Sequence, residues 1–189
     1  MKKLSSGFTL IELLIVIAVL GILAVAVLSA INPIEQINRS RDTGSRSDAE
    51  QLLGAVDRFY ATMGFYPWRQ SPTLPVSEAT AWAKVDAAWT DGTAATVLGK
   101  LSAAGTGEVK TSFTTRITCA TYNTLYKYNR GTSGDSTYIC FPSQSSSFAT
   151  EAWIRCGSST AGTGLPVDLQ PNAAAICLGA SSKNWSCLP

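Results

Sequence analysis

Glu12 is the side chain best placed to do chemistry, because it is the only charged residue in the apolar run from Phe8 to Ile31. An ionisable group at membrane depth is costly and by default functional, with a partner of opposite charge. Cleavage between Gly7 and Phe8 would create such a partner, a free amine at Phe8, about one helical turn from Glu12. In a bundle of staggered helices, the carboxylate of one copy would meet the amine of its neighbour. We therefore expect Glu12 to set the register of an assembly.

The run that carries Glu12 is long enough to cross a membrane. Its 24 residues span about 36 Å as a helix, against about 30 Å of hydrocarbon. Lys2 and Lys3 precede it, which predicts a cytoplasmic N-terminus and an extracytoplasmic location for everything after Ile31. Two alternatives are a secretory signal peptide, cleaved at the small residues of Ala26–Ala30, and a plain uncleaved membrane anchor. The length of the apolar run disfavours a signal peptide, and Glu12 disfavours a plain anchor.

The segment Gly7-Phe8-Thr9-Leu10-Ile11-Glu12, with the basic leader before it and the apolar run after it, resembles the prepilin signature of the type IV pilin and type II secretion pseudopilin superfamily. The resemblance implies cleavage between Gly7 and Phe8 and N-methylation of Phe8 by a prepilin peptidase. It also implies assembly through Glu12 and Phe8. The implied partners are like subunits, an assembly ATPase and a platform protein.

The expected function is a structural subunit of a type IV pilus-like filament. The expected location is a single-pass membrane precursor that passes into a cell-surface or periplasmic filament. A pseudopilin of a type II secretion system is the alternative within the superfamily. A minor pilin or an anchored adhesin, acting as a binding module, is the alternative of another class.

Composition argues against catalysis. The chain has no histidine, which removes the commonest general base and metal ligand, and no paired-carboxylate motif, phosphate-cradling glycine loop or CxxC. We expect no enzyme activity, no cofactor and no metal. By resemblance, calcium near the sheet would use Asp135 or Asp168, but the acidic spacing of a calcium loop is missing.

The charge balance gives no nucleic-acid signature. The formal charge of +2 comes from Lys2 and Lys3, because the rest of the chain carries 13 basic residues (15 minus 2) and 13 acidic ones. DNA binding has one local indication, aromatic rings beside cations, and an amphipathic strand is the simpler interpretation. These residues are Tyr122, Tyr126, Lys127, Tyr128 and Arg130.

All five cysteines lie in the C-terminal half of the chain, where an extracytoplasmic location favours disulfides. They are Cys119, Cys140, Cys156, Cys177 and Cys187. The odd number leaves one outside any two bridges, and the spacing does not choose among the pairings. Resemblance to pilins suggests a C-terminal loop closed by Cys177 and Cys187.

The predicted fold class is α+β: a long N-terminal helix packed on a small antiparallel sheet, with a disulfide-containing C-terminal region. The predicted segments are a leader at 1–7, a membrane or filament-core helix at 8–31, its amphipathic continuation at 32–63, a variable connection with a short helix at 64–110, and a sheet with a Cys-rich loop at 111–189.

Periodicity supplies the details of these segments. Apolar residues at helical spacing predict a buried stripe, formed by Ala49, Leu52, Leu53, Val56, Phe59, Tyr60 and Met63. Asn32-Pro33 should interrupt the helix, and Gly64 should end it. Thr93–Ala104 is predicted as a short helix. Trp82 and Trp89 are expected to cover the edge of the core, with an exposed ligand platform as the alternative.

Strands are predicted in the C-terminal part. Threonine and β-branched residues favour a strand at Ser112–Thr118, and Tyr122–Tyr128 with Ser136–Phe141 favour a hairpin. Phe148–Cys156 fits either a strand or a helix, with a slight preference for a strand. The tail from Gly157 is predicted to be loop-like.

Overall fold

The computed structural model describes residues 7–71, 82–102, 105–119, 124–131, 136–180 and 182–189. It is an α+β fold with a long apolar N-terminal helix, a four-stranded antiparallel sheet and two disulfides in the C-terminal region, as predicted. The helices are α1 (Leu10–Ala30), α2 (Pro33–Met63), α3 (Val97–Leu101), α4 (Thr111–Ile117), α5 (Ser146–Arg155) and α6 (Ala173–Ile176). The strands are β1 (Trp82–Lys84), β2 (Tyr126–Tyr128), β3 (Tyr138–Pro142) and β4 (Trp185–Leu188).

The chain forms two structural units, one ending at Gln36 and the other beginning at Ile37. The predicted interruption lies in the first unit, where Ile31 has extended backbone and α2 begins at Pro33. Proline fits the first helical position, since its missing N–H has no partner there. The Asn32 side chain accepts a hydrogen bond from the Glu35 N–H at 3.3 Å and so caps the new helix.

The second unit is organised around one face of α2. Most of the predicted stripe is buried in its core, at Ala49, Leu52, Val56 and Phe59. The prediction extended the buried stripe too far towards the C-terminus of the helix, because Tyr60 and Met63 in the last turn remain 46% and 44% exposed. Gly64 ends the helix with φ +76°, a left-handed conformation that glycine adopts without steric cost.

The sheet has the order β1-β2-β3-β4, with every neighbouring pair antiparallel. The β2–β3 pair confirms the predicted hairpin, with Lys127 opposite Ile139. The first strand of the hairpin is shorter than the predicted Tyr122–Tyr128, because residues 124–125 are not in the sheet. Residues 122–123 and 132–135 lie outside the described residues. Ile139, Phe141 and Leu188 belong to the same core as the buried face of α2.

Two strand predictions are wrong, and both segments are helices. Ser112–Thr118 falls in α4, where Phe113 and Ile117 are buried at a spacing of four residues. Their apolar contacts outweigh the strand preference of the threonines. Phe148–Cys156 falls largely in α5, which Ser145 caps by accepting a hydrogen bond from the Phe148 N–H.

The C-terminal tail is more ordered than its composition suggests. A 3₁₀ turn at Gln170–Asn172 leads into α6, and β4 completes the sheet beside β3. The short helix α3 falls inside the predicted Thr93–Ala104 span. The loop-like prediction is therefore wrong for Trp185–Leu188, whose strand depends on pairing with a distant part of the chain.

Candidate functional site

The candidate site is α1 and the three residues that precede it. Gly7, Phe8 and Thr9 lie outside the helix and are exposed. Thr9 is the N-cap, and it forms a capping box with Glu12. The peptide bond between Gly7 and Phe8 is thus in a non-helical, accessible segment directly before a capped helix.

Apolar side chains cover α1 on all sides. Every large apolar residue from Phe8 to Leu28 is between 45% and 88% exposed in the chain. The 21 residues of α1 are about 32 Å long, and Leu10–Ser29 is apolar and long enough to cross a membrane. Exposed apolar surface of this extent marks an interaction with lipid or protein.

The Glu12 carboxylate has partners within its own first turn. Its Oε2 accepts the Thr9 backbone N–H at 2.9 Å and the Thr9 hydroxyl at 2.7 Å, while the Glu12 N–H donates to Thr9 Oγ1 at 3.3 Å. Both accepted hydrogen bonds go to Oε2. Within the described residues, Oε1 has no partner, so the carboxylate can also bind a cation.

One comparison with known proteins concerns this end of the chain. Residues 2–28 match the model of the prokaryotic N-terminal methylation motif. This motif coincides with the segment from Gly7 to Glu12 and with most of α1. A curated relative, fimbrial protein EcpC of Eikenella corrodens, is 40% identical over 67 residues. The match covers 35% of this chain and 42% of the relative, so the chain spans less than half of that relative's length. No solved structure matches the chain significantly.

Four of the five cysteines form two disulfides in the second structural unit. Cys140 bonds Cys187, and Cys156 bonds Cys177. The expected Cys177–Cys187 loop is wrong, because β4 pairs with β3 in a register that sets Cys187 directly opposite Cys140. Cys119 lies exposed after α4.

The aromatic and cationic residues considered for DNA do not form one surface. Lys127 is completely buried, with its Nζ 4.5 Å from the centre of the Trp68 ring, a cation–π contact inside the core. Tyr128 is also buried, and Tyr122 lies outside the described residues. A buried ammonium cannot contact phosphate, so the expected cation beside stacked bases is not present at Lys127.

Asp42 is an important residue that the sequence analysis did not single out. Its i, i+4 spacing to Arg46 is typical of an ion pair on an exposed helix, but Asp42 is completely buried. Its carboxylate accepts the N–H groups of Gln144 at 2.8 Å and Ser145 at 2.7 Å, and the Ser145 hydroxyl at 2.6 Å. The sequence signal for this contact was Ser145, a residue type that favours the N-cap position. It becomes recognisable only once Phe148–Cys156 is interpreted as a helix.

The described residues contain no group of three or more His, Cys, Asp or Glu side chains that could hold a metal ion. The Asp168 carboxylate, considered for calcium, accepts the Ser136 N–H at 3.0 Å and the Tyr138 hydroxyl at 2.8 Å. It therefore joins the tail to β3. Asp135 lies outside the described residues.

Proposed function

We propose that this protein is a structural subunit of a type IV pilus-like filament, processed between Gly7 and Phe8 and assembled through α1. The observation that carries the proposal is the all-round exposure of apolar side chains on α1. Lipid covers this surface in the precursor, and the α1 helices of neighbouring subunits cover it in the filament. The N-terminal methylation motif and the fimbrial relative support a pilin-like structural subunit.

Glu12 gives the assembly its register. A prepilin peptidase cleaves after Gly7 and N-methylates Phe8, which leaves a cationic amine at the new N-terminus. Thr9 holds Oε2 of Glu12, while Oε1 is available to the Phe8 amine of a neighbouring subunit. Charge-assisted contacts in an apolar surrounding are strong and specific, so one axial offset is preferred. The assembly ATPase and platform protein act from the membrane side.

The first experiment is mass spectrometry of filaments sheared from the cell surface. The expected N-terminal peptide begins at methylated Phe8. Glu12→Gln is expected to abolish filaments while leaving the processed subunit in the membrane. Asp57→Asn, which changes an exposed acid on α2, is expected to assemble normally.

Three results would contradict parts of the proposal. An intact Met1 or a cut near Ala30 would exclude prepilin processing. Normal filaments from Glu12→Gln would exclude the register role. Absence of extracellular filaments, combined with a block in protein export on deletion, would identify a secretion pseudopilin instead.

A further inference from the structure

The sheet face that does not pack on α2 carries aromatic side chains from three strands, beside a second hydrophobic core that includes Tyr128 and Tyr138. Successive side chains of a strand point to opposite faces, and Lys127 and Ile139 point into the core. Trp82, Tyr126 and Trp185 therefore share the other face. These three residues are called the outer aromatic cluster below.

The rings of the outer aromatic cluster contact one another but are not fully covered. Their centroids are 5.7 Å apart for Trp82 and Tyr126, 5.4 Å for Trp82 and Trp185, and 4.8 Å for Tyr126 and Trp185. All three side chains are partly exposed, whereas Trp68 and Trp89 are buried in the core. Trp82 and Trp185 pack against the second hydrophobic core and keep part of each ring in water, where a ligand can contact it.

A disulfide anchors the strand of Trp185, and a cleft lies beside that residue. The Cys140–Cys187 disulfide joins β3 to β4, the strand that carries Trp185. Beside Trp185 lies a cleft of about 230 Å³. Its lining includes Tyr138, Arg155, Leu165, Leu169 and Pro189. An apolar, aromatic lining with a few polar groups at the rim is typical of small-ligand sites.

The charged residues around the cluster indicate which chemical class of ligand it can bind. Lys84, at the edge of the sheet, forms an ion pair with Asp86 at 3.6 Å, and Arg155 pairs with Glu151. A surface with paired charges lacks the positive groove that a nucleic acid requires. It matches an uncharged ligand with one apolar face and polar edges, which is the character of a pyranose ring.

We propose that the outer aromatic cluster and its cleft bind an uncharged sugar ring of a glycan. The ring stacks its C–H face on Trp185 beside the cleft, with Trp82, inclined at 56° to Trp185, against its edge, and its hydroxyl groups hydrogen-bond at the rim near Arg155. The proposal does not depend on filament assembly, because every residue involved belongs to the second structural unit.

The test uses the full chain in dodecylphosphocholine micelles, since sugar-based detergents would compete. Lactose, N,N′-diacetylchitobiose and maltotriose are titrated, with tryptophan fluorescence and saturation-transfer NMR as readouts. At least one sugar is expected to saturate the protein. Trp82→Ala and Trp185→Ala are each expected to weaken binding about tenfold, the scale of losing an aromatic stacking partner.

Two further variants separate binding from folding. Trp185→Phe keeps a stacking ring and is expected to retain most of the affinity. Tyr126→Ala should weaken binding, whereas Tyr60→Ala, which removes an exposed tyrosine on α2, should not. Circular dichroism and urea unfolding establish that each variant is folded.

Several results would overturn the glycan proposal. One is the failure of all three sugars to bind, and another is binding unaffected by the Trp82 and Trp185 variants. Salt-dependent binding of oligo(dT) at this cluster in place of sugar would identify a polyanion surface. Self-association that Trp185→Ala abolishes would identify the cluster as a contact with a second copy of the chain.

Discussion

Glu12 on α1 and Asp42 on α2 are two carboxylates in contrasting surroundings. Glu12 is exposed among apolar side chains, and its partner Thr9 is three residues away. Asp42 is buried, and its partners Gln144 and Ser145 lie 102 and 103 residues further along the chain. One carboxylate is stabilised locally, and the other joins distant parts of the fold.

This difference shows what satisfies the polar groups and what covers the apolar surface in each region. Thr9 and Glu12 are hydrogen-bonded to each other within the first turn of α1, so this end of the helix needs no distant contact. The apolar surface of α1 must then be covered by lipid or protein. The region around Asp42 is covered by its own chain, since the carboxylate satisfies backbone N–H groups at the start of α5 that would otherwise lack partners.

Removal of the Cys140–Cys187 disulfide should have the largest effect on the second unit. The two residues are 47 apart in sequence, so in the chain-entropy account the bridge contributes about 4 kcal/mol. We expect the double alanine variant to lose roughly that free energy of unfolding. All five tryptophans lie in the second unit, so fluorescence in urea reports on it alone.

The matched control is the double alanine variant of Cys156 and Cys177. Its shorter separation of 21 residues predicts a smaller loss, about 3.4 kcal/mol. A change in the helicity of α1 in either variant would contradict the independence of the two regions.

Asp42→Ala should have the next largest effect. It leaves the N–H groups of Gln144 and Ser145 without their buried acceptor, which costs about 3 kcal/mol of unfolding free energy. Urea denaturation of the full chain in micelles measures this loss. Asp57→Ala, an exposed acid on the same helix, should change stability by less than about 0.5 kcal/mol. Equal effects of the two variants would show that the Asp42 contacts are not stabilising.

Thr9→Ala should affect only α1. The loss of its N-cap hydrogen bond costs about 1 kcal/mol locally, so amide exchange at residues 10–13 should become faster. The urea midpoint of the second unit should stay unchanged. Ser29→Ala at the other end of α1 is the control, and it should leave exchange at residues 10–13 unaltered. A destabilised second unit in Thr9→Ala would contradict the independence of the two regions.

The smallest expected effect is a pH dependence confined to acid. Burial tends to raise the pKa of Asp91, but hydrogen bonds from Lys100 and Thr93 and the attraction of Lys100 outweigh it, so that pKa lies below its ordinary value of 3.8. Because the folded pKa is the lower one, this stabilisation is present above 3.8 and is lost as pH falls through the folded pKa.

Two variants test this acid dependence by urea denaturation across the acid range. Asp91→Asn should remove its part of the dependence. Burial raises the pKa of Asp48 despite its contact with Arg116, so that carboxyl contributes with the opposite sign. Its contribution is present below 3.8 and is lost as pH rises through the folded pKa. Asp48→Asn should therefore steepen the loss of stability in acid, and parallel curves for the two variants would contradict these signs.

The N-terminal region was predictable because its signals are local. The apolar run, the position of Glu12 and the interruption at Asn32-Pro33 each depend on residues within a few turns, and the structure has α1 and the start of α2 where these signals indicate. Peptidase processing and the register role of Glu12 stay predictions. The capping role of Thr9 could also have been predicted from the sequence, since a threonine three residues before a glutamate is a capping-box signature.

The second unit was harder because its structure depends on contacts between distant residues. Threonine-rich Ser112–Thr118 has a local preference for strand, but burial of Phe113 and Ile117 makes it a helix. The disulfide pairing follows from the β3–β4 register, which composition does not reveal.

The sequence by itself determined the apolar helix, its break and its capped N-terminus, because each follows from neighbouring residues and from the solvent that their side chains require. The tertiary structure alone decided that Lys127 would lie under Trp68, that Asp42 would hold the start of α5, and that Trp82 would meet Trp185. The physical reason is that these contacts join residues far apart in sequence, whose meeting depends on packing of the whole unit.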